Sequence, residues 1–225
     1  LLLRRKPRQA LACTEVWAYL GIIAASILVI TIQVLPGFET VYQAFHHTAF
    51  QVSSIITTTG YSTADFNEWN ALSKTILVLI MFVGACAGST GGGIKVSRII
   101  ILLKGVRKEV MRVCHPRSIK KVKMDGHSLE HEAVHSVYAF VIIYICIFVV
   151  SLLVITLDEK DLVTNFTAVA ATINNIGPGL NIVGPAGNFS SFSDLSKFVL
   201  MFDMLAGRLE LLPLLVLFVP SAWKK

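Results

Sequence analysis

Two short glycine-containing runs carry the residue types that can coordinate a dehydrated cation. They are Thr57-Thr58-Thr59-Gly60 and Asn174-Asn175-Ile176-Gly177. A permeating cation gives up water and needs replacement oxygens, which backbone carbonyl groups supply. Aiming successive carbonyls to one side needs backbone conformations that a Cβ atom disfavours, and Gly60 and Gly177 meet that need. The two runs therefore predict a pair of selectivity-filter segments for a cation.

The side chains around these runs favour the same interpretation. The hydroxyl groups of Thr57, Thr58 and Thr59 can reach an ion or tie down the end of a preceding helix. No charged side chain lies between Gln51 and Ala64, and the carboxyl end of a helix supplies a partial negative charge of its own. The predicted cation ligands are Thr58, Thr59, Asn175 and Ile176. The competing interpretation makes each run an ordinary turn, and their matching places in the chain argue against it.

A glycine-rich stretch interrupts the apolar residues between positions 76 and 103. Glycine inside a helix costs about 1 kcal/mol relative to alanine, and a broken membrane helix is tolerated only beside a cavity. We therefore predict an intramembrane gate composed of Gly88, Ser89, Thr90, Gly91, Gly92, Gly93 and Lys95. Close helix packing at small residues stays an open alternative. A phosphate-binding loop is disfavoured, because Ile94 separates Gly93 from Lys95 and no strand precedes the stretch.

Arg208 lies in the middle of the last apolar stretch. A charge inside a membrane segment is a functional hypothesis by default. Glu210, two residues further on, faces another side of a helix and cannot simply neutralise it. We predict that Arg208 is an electrostatic barrier belonging to the gate, while a snorkelling or structurally paired arginine stays an open alternative.

The elements that must position these residues are membrane helices. Of the 225 residues, 54% are hydrophobic and only 15% are charged, whereas soluble domains carry roughly a quarter charged residues. Four apolar stretches, at residues 16–34, 76–103, 134–155 and 198–219, each have the length of about 20 residues needed to cross a bilayer. The composition therefore predicts an all-α protein within a lipid bilayer.

The order of segments occurs twice along the chain. A crossing at residues 13–35 is followed by a short segment at 40–56, the first run and a second crossing from about residue 72. A crossing at 132–157 is likewise followed by a short helix at 162–172, the second run and a crossing to about residue 219. We predict two parallel helix–pore loop–helix (M1-P-M2) repeats. The first covers residues 1–123, with a basic loop at its end, and the second covers residues 124–225.

The charge distribution predicts the orientation. The net charge is +6, with Lys and Arg concentrated at residues 4–8, 104–123 and 224–225, and acidic residues at 65–68 and 158–161. Loops rich in Lys and Arg remain cytoplasmic, so both ends of the chain are expected in the cytoplasm. This pattern explains the positive charge without a nucleic-acid partner. The basic loop can in addition dock a cytoplasmic partner.

Other function classes find little support. The four cysteines lie in apolar or basic cytoplasmic segments without metal-site spacing, and we expect no disulfide. No nucleophile–base pair, metal cluster or paired carboxylates occur within the crossings, so we predict that the chain is not an enzyme. A symporter that couples cation uptake to protons or sodium stays the main alternative to channel-like permeation. Uncharged filters and parallel repeats favour permeation.

Residues 55–63, 84–95 and 174–179 resemble three features of the Trk/Ktr/HKT superfamily of potassium transporters. These features are the third pore loop, the broken inner helix and the fourth filter loop. The resemblance covers essentially the whole chain and is greatest for the carboxyl-terminal half of bacterial TrkH members. It implies half of a four-repeat, potassium-channel-like pore, with potassium as the substrate. Relatives that pass sodium have Ser at one filter glycine, and the glycines at positions 60 and 177 favour potassium.

The resemblance also implies a setting for the molecule. It implies a homodimer in the bacterial cytoplasmic (inner) membrane, gated by a TrkA-like cytosolic ring that binds NAD(H) and adenine nucleotides such as ATP. The transporter itself would then need no covalent cofactor. It further implies that Arg208 points into the pore below the filter. Because the sequence begins without Met or a signal peptide, we expect a fragment that lacks the amino-terminal half of the same subunit. A chain with two of the four units is not expected to form a closed pore without further units.

Overall fold

Helices dominate the fold. The computed structural model describes residues 13–115 and 122–208. In chain order its helices are α1 (Thr14–Val34), α2 (Val41–Ile56), α3 (Ala71–Val83), α4 (Val96–Cys114), α5 (His131–Ile155), α6 (Leu162–Ile173) and α7 (Asp194–Arg208). Strands β1 (Lys123–Met124) and β2 (His127–Ser128) form a small antiparallel hairpin. The predicted boundary between the two repeats, after residue 123, falls inside this hairpin.

Two helices are long and apolar enough to cross a membrane by length and composition. With the 3-10 turns that follow them, they are Thr14–Gly37, of 24 residues, and His131–Asp158, of 28 residues. The helices Ala71–Val83 and Leu162–Ile173 are apolar but shorter. The apolar stretch at 76–103 is not one helix, because it is divided between α3 and α4. The stretch at 198–219 extends past the described residues.

The two short helices begin at side-chain caps. Thr40 precedes α2, and its hydroxyl accepts a hydrogen bond from the Gln43 amide at 3.2 Å. Asp161 precedes α6, and its carboxylate accepts one from the Thr164 amide at 3.0 Å. Such caps satisfy amides that a helix start leaves free. The predicted bounds of both short segments are confirmed to within a residue or so.

The predicted break after α3 is also confirmed. Gly84 follows the helix with a φ of +66°, a conformation that suits glycine. Residues 84–95, hereafter the glycine-rich loop, then fold back on themselves. The Ile94 amide donates to the Phe82 carbonyl at 3.2 Å, and the Val96 amide donates to the Ala85 carbonyl at 3.2 Å. Helix α4 continues away from this closed loop.

Helix α6 lies at the centre of the fold. It packs against α3, α5 and α7, and nine of its twelve residues are buried. Helix α2 lies between α1 and α3 and leaves Tyr42, Phe45 and Phe50 exposed. The apolar core, which includes Ile30, Leu77 and Ile155, holds both short helices in place.

The loops after the two short helices are joined to each other. The Asn67 side chain donates from Nδ2 to the Asn181 carbonyl at 3.2 Å. The Asn181 amide donates back to Asn67 Oδ1 at 2.9 Å. This reciprocal pair joins the two halves of the described chain, and Asn181 also lies 2.8 Å from Asp161 at the start of α6.

Candidate ion-conduction site

The TTTG loop (residues 57–60) closes α2 with a tight turn. The Thr58 amide donates to the Ile55 carbonyl at 3.1 Å, and the Thr59 amide donates to the Ser54 carbonyl at 2.8 Å. Thr58 has a φ of +56° and Gly60 a φ of +81°. Positive φ is uncommon for a residue with a Cβ, so this turn is held by its hydrogen bonds.

The NNIG loop (residues 174–177) makes the same turn at the end of α6. The Asn175 amide donates to the Thr172 carbonyl at 2.9 Å, and the Ile176 amide donates to the Ala171 carbonyl at 2.8 Å. Asn175 has a φ of +55° and Gly177 a φ of +109°. Bond for bond, the two loops have the same backbone course, although only the glycine is shared in sequence.

The two loops touch each other. A Cβ atom built on Gly60 would lie 2.1 Å from the Ile176 carbonyl oxygen, so only glycine fits there without a shift. The Gly60 backbone therefore lies directly against a carbonyl of the other loop. The predicted filter segments, more than a hundred residues apart in sequence, are neighbours in the structure.

The loops differ in how their side chains are held. Thr57 donates from Oγ1 to the Ser53 carbonyl at 2.6 Å and lies 2.8 Å from Thr59 Oγ1. In the NNIG loop, Tyr144 donates its phenol to Asn174 Oδ1 at 2.8 Å. The Asn175 amide group donates to the Met204 carbonyl at 3.0 Å. The side chains of Thr57, Asn174 and Asn175 therefore anchor the two loops to the surrounding helices.

All four predicted cation ligands line one cavity of about 390 Å³. They are Thr58, Thr59, Asn175 and Ile176, and Gly177 lines the same cavity. Its other walls are mostly apolar and include side chains of α7, such as Leu200 and Met204. Thr57, Gly60 and Asn174, which were also predicted filter residues, do not line it.

The glycine-rich loop contacts both of the other loops. A Cβ atom on Gly92 would lie 2.2 Å from the Asn174 carbonyl oxygen, and one on Gly91 would lie 3.2 Å from Thr58 Oγ1. The backbone of the predicted gate therefore presses against the start of the NNIG loop and approaches the TTTG loop. Side chains at these positions would push the loops apart.

A second cavity, of about 140 Å³, lies beside the glycine-rich loop. Of the predicted gate residues, it is lined by Ser89, Thr90, Gly91, Gly93, Lys95 and Arg208. Gly88 and Gly92 do not line it. Arg98 also lines this cavity, with its guanidinium 3.9 Å from the centre of the Phe140 ring. Positive charge thus surrounds the cavity, while Glu210 lies outside the described residues.

Glu15 is a functional candidate that sequence reasoning missed. It is buried at the start of α1. Its Oε1 atom accepts hydrogen bonds from the Ala87 amide at 2.6 Å and the Ser97 amide at 3.1 Å. One carboxylate oxygen therefore binds the glycine-rich loop and the first turn of α4 together. The available signal was an acidic residue at the boundary between a basic flank and an apolar stretch.

Two further polar groups of the interior were missed. Tyr144 is almost fully buried behind the NNIG loop. Asp203 and Ser151 are buried between α7 and α5, where the Ser151 hydroxyl donates to Asp203 Oδ1 at 2.7 Å. The signal for Asp203 was an ionisable residue within an apolar stretch.

Outside the membrane segments, Asp161 caps the start of α6 and also accepts a hydrogen bond from Asn181. The Thr164 hydroxyl and amide hold the pKa of Asp161 below its usual range, and the Asn181 side chain adds a further donor. Asn181 Nδ2 lies 2.8 Å from Asp161 Oδ2. The start of α6 is therefore tied to the loop that follows the NNIG loop. In residues 13–115 and 122–208, no group of three or more His, Cys, Asp or Glu side chains is placed to hold a metal ion.

Comparison with models of known protein families identifies the family of this chain. The family model described as TrkH, cation transport protein, matches residues 13–225. The chain belongs to the TrkH family. The resemblance seen in the sequence is therefore confirmed, and the family is one of bacterial membrane transporters. TrkH-family relatives are transporters and not enzymes, as predicted.

Among TrkH-family relatives, "Trk system potassium uptake protein TrkH" of Vibrio parahaemolyticus is 40% identical over 188 residues. That match covers 84% of this chain and 38% of the relative. The protein of the same name from Escherichia coli K12 is 40% identical over 186 residues, covering 83% of this chain and 37% of that one. The E. coli protein TrkG is 34% identical over 211 residues, covering 93% of this chain and 43% of TrkG.

A solved TrkH-family structure has the same fold. The crystal structure of the potassium transporter TrkH from V. parahaemolyticus matches with a TM-score of 0.84 and 38% identity. The match covers 93% of this chain and 45% of that one. The chain thus spans less than half the length of the curated relatives it matches.

Proposed function

We propose that this chain forms the carboxyl-terminal half of the ion pathway of a potassium uptake system. The observation that carries the proposal is the contact between two loops with the same hydrogen-bonded turn. Each loop ends a short helix, and residues of both loops line a shared cavity. The curated relatives, which are named potassium uptake proteins, support potassium as the ion.

In this proposal, α1 to α3 and α5 to α7 are two parallel helix–pore loop–helix repeats. Helices α2 and α6 are pore helices that dip into the membrane and return as the TTTG and NNIG loops. Non-helical backbone at that depth is tolerated where it lines a cavity. Potassium sheds water and binds carbonyl oxygens at Thr58, Thr59, Asn175 and Ile176. The negative ends of the pore helices add to the attraction.

The glycine-rich loop is the proposed gate, with Arg208 as an electrostatic barrier beneath it. Its support is the contact of Gly92 with the Asn174 carbonyl, together with the cavity that Arg208 and Lys95 line. A cation that passes the filters meets this positively charged cavity, where the potential opposes it. Movement of the loop and neutralisation or displacement of Arg208 would lower that barrier.

Channel-like permeation is the function we favour, and ion-coupled symport is the second candidate. Uncharged loops with carbonyl oxygens suit permeation. Coupled transporters place ionisable residues inside the membrane. The buried carboxyl group of Asp203 is the observation that keeps symport in consideration.

The setting follows from the proposed role. We place the protein in the bacterial inner membrane, in contact with the lipid bilayer, with both ends of this segment cytoplasmic. The amino-terminal half of the same subunit would supply two further repeats, and a second subunit would complete a homodimer. A TrkA-like cytosolic ring would bring NAD(H) and ATP, so the described residues need no cofactor of their own.

Rubidium and sodium flux into proteoliposomes that hold the complete subunit tests the proposal. Gly60→Ser and Gly177→Ser are the test variants. Gly126→Ser is the matched control for Gly177→Ser, because Gly126 likewise has a positive φ and open space around its Cβ position but lies in the hairpin at residues 123–128. We expect rubidium-selective flux in the wild type and control, with selectivity reduced in both test variants. Flux that neither filter substitution changes would show that the two loops are turns without a filter role.

Gly177→Ser is the more informative of the two variants. A Cβ atom at Gly177 meets nothing within 4 Å, whereas one at Gly60 meets the Ile176 carbonyl at 2.1 Å. A Gly60 variant that fails to assemble therefore says little about ions. An assembled Gly177 variant reports the effect of the backbone conformation itself.

A further inference from the structure

A carboxyl group is enclosed within the second half of the described chain. Asp203 is 0% exposed, and Ser151 is 3% exposed. The Ser151 hydroxyl donates to Asp203 Oδ1 at 2.7 Å. The second oxygen, Oδ2, is also buried and has no hydrogen-bond partner among the described residues. A buried polar atom without a partner is uncommon in folded proteins and calls for an explanation.

No basic side chain is positioned to neutralise this carboxyl group in the described residues. Helix α6 carries no ionisable side chain. On α5, the Tyr144 phenol is neutral and donates to Asn174, and Cys146 is exposed. On α7 itself, Arg208 and Lys197 are roughly 8 and 9 Å away along the helix axis, and Lys197 lies 3.7 Å from Asp194.

The first half of the chain has hydrocarbon at the corresponding positions. Ser151 lies ten positions before the cap Asp161, and Ile30 lies ten positions before the cap Thr40. Asp203 lies ten positions after Ser193, whose hydroxyl accepts from the Ser196 amide, and Ile80 likewise follows the cap Asn70. Ile30 and Ile80 are buried too. The same architecture therefore packs without a polar pair, and the pair is not a requirement of the fold.

The neutral acid suits this site better than the carboxylate. An isolated charge removed from water is far more costly than a neutral polar group, and such groups bind a proton instead. With a proton on Oδ2, the side chain is uncharged and Oδ1 accepts from Ser151. Loss of the proton to water leaves a carboxylate with one donor, and that state favours the entry of water between α5 and α7. Ser151 also lines a cavity of about 310 Å³ between these helices.

The pair is connected to the NNIG loop through the next residues of α7. Met204 follows Asp203 directly, and its carbonyl accepts from Asn175 Nδ2 at 3.0 Å. A Cβ atom on Gly207 would lie 1.7 Å from the Ile173 carbonyl oxygen, so α7 lies against the end of α6 one turn further on. A change in packing at Asp203 therefore reaches the backbone that holds Asn175.

We propose that Asp203, with Ser151, is a proton-binding site whose occupancy sets how firmly α7 holds the NNIG loop. The ligand is a single proton, which binds Oδ2 and leaves to water. Protonation keeps α5 and α7 closely packed and the NNIG loop in the position described above. Deprotonation loosens this contact and changes the rate of ion passage. The effect on flux rests on the proposed transport function, whereas proton binding does not.

Rubidium flux of the complete subunit in proteoliposomes, measured over a series of internal and external pH values, is the first test. Asp203→Asn keeps the shape of the side chain but cannot ionise. We expect the wild-type flux to follow a single-site titration curve and the variant to lose that pH dependence. Asp194→Asn is the matched control, because it removes an exposed carboxyl group from the same helix and should leave the pH profile unchanged. A variant profile that superimposes on the wild type would overturn the proposal.

Infrared difference spectroscopy of the same proteins tests proton binding without reference to transport. We expect a carboxylic-acid C=O band that titrates in the wild type and is lost in Asp203→Asn but kept in Asp194→Asn. Absence of a band assignable to Asp203 would overturn the proposal even if rubidium flux is normal. A titrating band in a protein that does not transport rubidium would sustain the proton site and contradict the transport function. If Asp203→Asn does not assemble, Ser151→Ala should shift the band, and an unshifted band would count against the pair.

Discussion

The TTTG and NNIG loops have the same backbone turn and different support. Both place a residue with a φ near +55° between the helix end and the glycine, and both repeat the same amide-to-carbonyl bonds. The TTTG loop is tied by its own hydroxyl groups. The NNIG loop is tied by partners from two other helices, Tyr144 of α5 and Met204 of α7. The backbone turn thus persists while the side chains that stabilise it differ.

The helices before the two loops also differ in burial, and α6 is the more buried of the two. Seven of the sixteen residues of α2 are buried, compared with nine of the twelve residues of α6. Water can replace a lost hydrogen bond more easily beside the more exposed helix. We therefore infer that the NNIG loop depends on its distant partners, whereas the TTTG loop is more self-sufficient.

The helices after the loops differ more. Helix α3 ends at Val83 and gives way to the glycine-rich loop, whereas α7 continues through Gly207 to at least Arg208. Within residues 13–115 and 122–208, a helix that ends in a glycine-rich loop occurs in the first half alone, and there the buried Glu15 carboxylate accepts from two backbone amides. The two halves therefore differ most in the helix that follows the loop.

Removing the Glu15 carboxylate should produce the largest effect. Glu15→Ala leaves the Ala87 and Ser97 amides without their acceptor, which should cost about 1.5–3 kcal/mol of stability. We expect a lower thermal unfolding midpoint of the complete subunit. Under the proposed gating role we also expect a higher basal rubidium flux, because the glycine-rich loop loses its attachment to α1.

Glu15→Gln is the control for this effect. The glutamine side chain has nearly the same size and keeps one acceptor oxygen, so it should retain most of the stability and the low basal flux. If Glu15→Ala and the wild type have equal stability and flux, the carboxylate does not hold the loop. A loss of stability with unchanged flux would limit Glu15 to a role in folding.

Much of the fold was predictable because membrane helices have a strong sequence signal. The apolar stretch at 134–155 and the short helix at 162–172 were predicted with bounds close to those observed. The break after α3 was predicted because Gly84 begins a series of glycines, and glycine lowers the stability of any helix. These features depend on local composition, which a single sequence contains in full.

The side-chain partners were not predictable in the same way. Tyr144 meets Asn174 across 30 positions and Glu15 meets Ala87 across 72 positions. Neither pair leaves a periodic or compositional pattern in one sequence. The contact of Gly60 with the Ile176 carbonyl likewise depends on how α2 and α6 pack. The sequence indicated which residues could coordinate a cation. The side chains that hold the two loops in place depend on tertiary packing.

Loss of one hydroxyl beside each loop should have a smaller and unequal effect. Tyr144→Phe removes the donor to buried Asn174 Oδ1, and a buried acceptor left without its donor costs about 1–3 kcal/mol. Thr57→Val removes the corresponding anchor of the TTTG loop. Because Thr57 is exposed, water can replace its hydrogen bond to the Ser53 carbonyl. The loss of stability should therefore be a few tenths of that in Tyr144→Phe. Thermal unfolding and the rubidium-to-sodium flux ratio of the complete subunit measure both effects.

Comparing the losses of stability and ion selectivity in these two variants tests whether the two loops are supported differently. A larger loss of stability and ion selectivity in Tyr144→Phe would show that the NNIG loop depends on α5. Equal losses, or a larger one in Thr57→Val, would contradict the inference that the TTTG loop is the more self-sufficient. Tyr19→Phe in α1 serves as a control for removal of a phenol hydroxyl that does not touch either loop.

Removing the caps of the two short helices should have the smallest effects on stability. The two effects should be similar at neutral pH and should differ at acid pH. Thr40→Ala and Asp161→Ala should each cost about 1 kcal/mol at neutral pH. The folded-state pKa of Asp161 is lowered, mainly by the Thr164 hydroxyl, so its charge stabilises the fold at neutral pH. That contribution is lost as the pH falls through the lowered pKa, below the usual aspartate value of about 3.9. Thr40 does not titrate, and its contribution should be constant.

Asp161→Asn isolates the charge, because asparagine caps a helix about as well as aspartate. The thermal unfolding midpoint of this variant should lie slightly below that of the wild type at neutral pH, and the two should converge in acid. The difference between Thr40→Ala and the wild type should persist over the same range. If Asp161→Asn and Thr40→Ala show the same pH dependence, the carboxylate does not contribute as a charge, and the caps of α2 and α6 are equivalent. Convergence of the first pair alone would show that one of two otherwise similar helix starts is sensitive to acid.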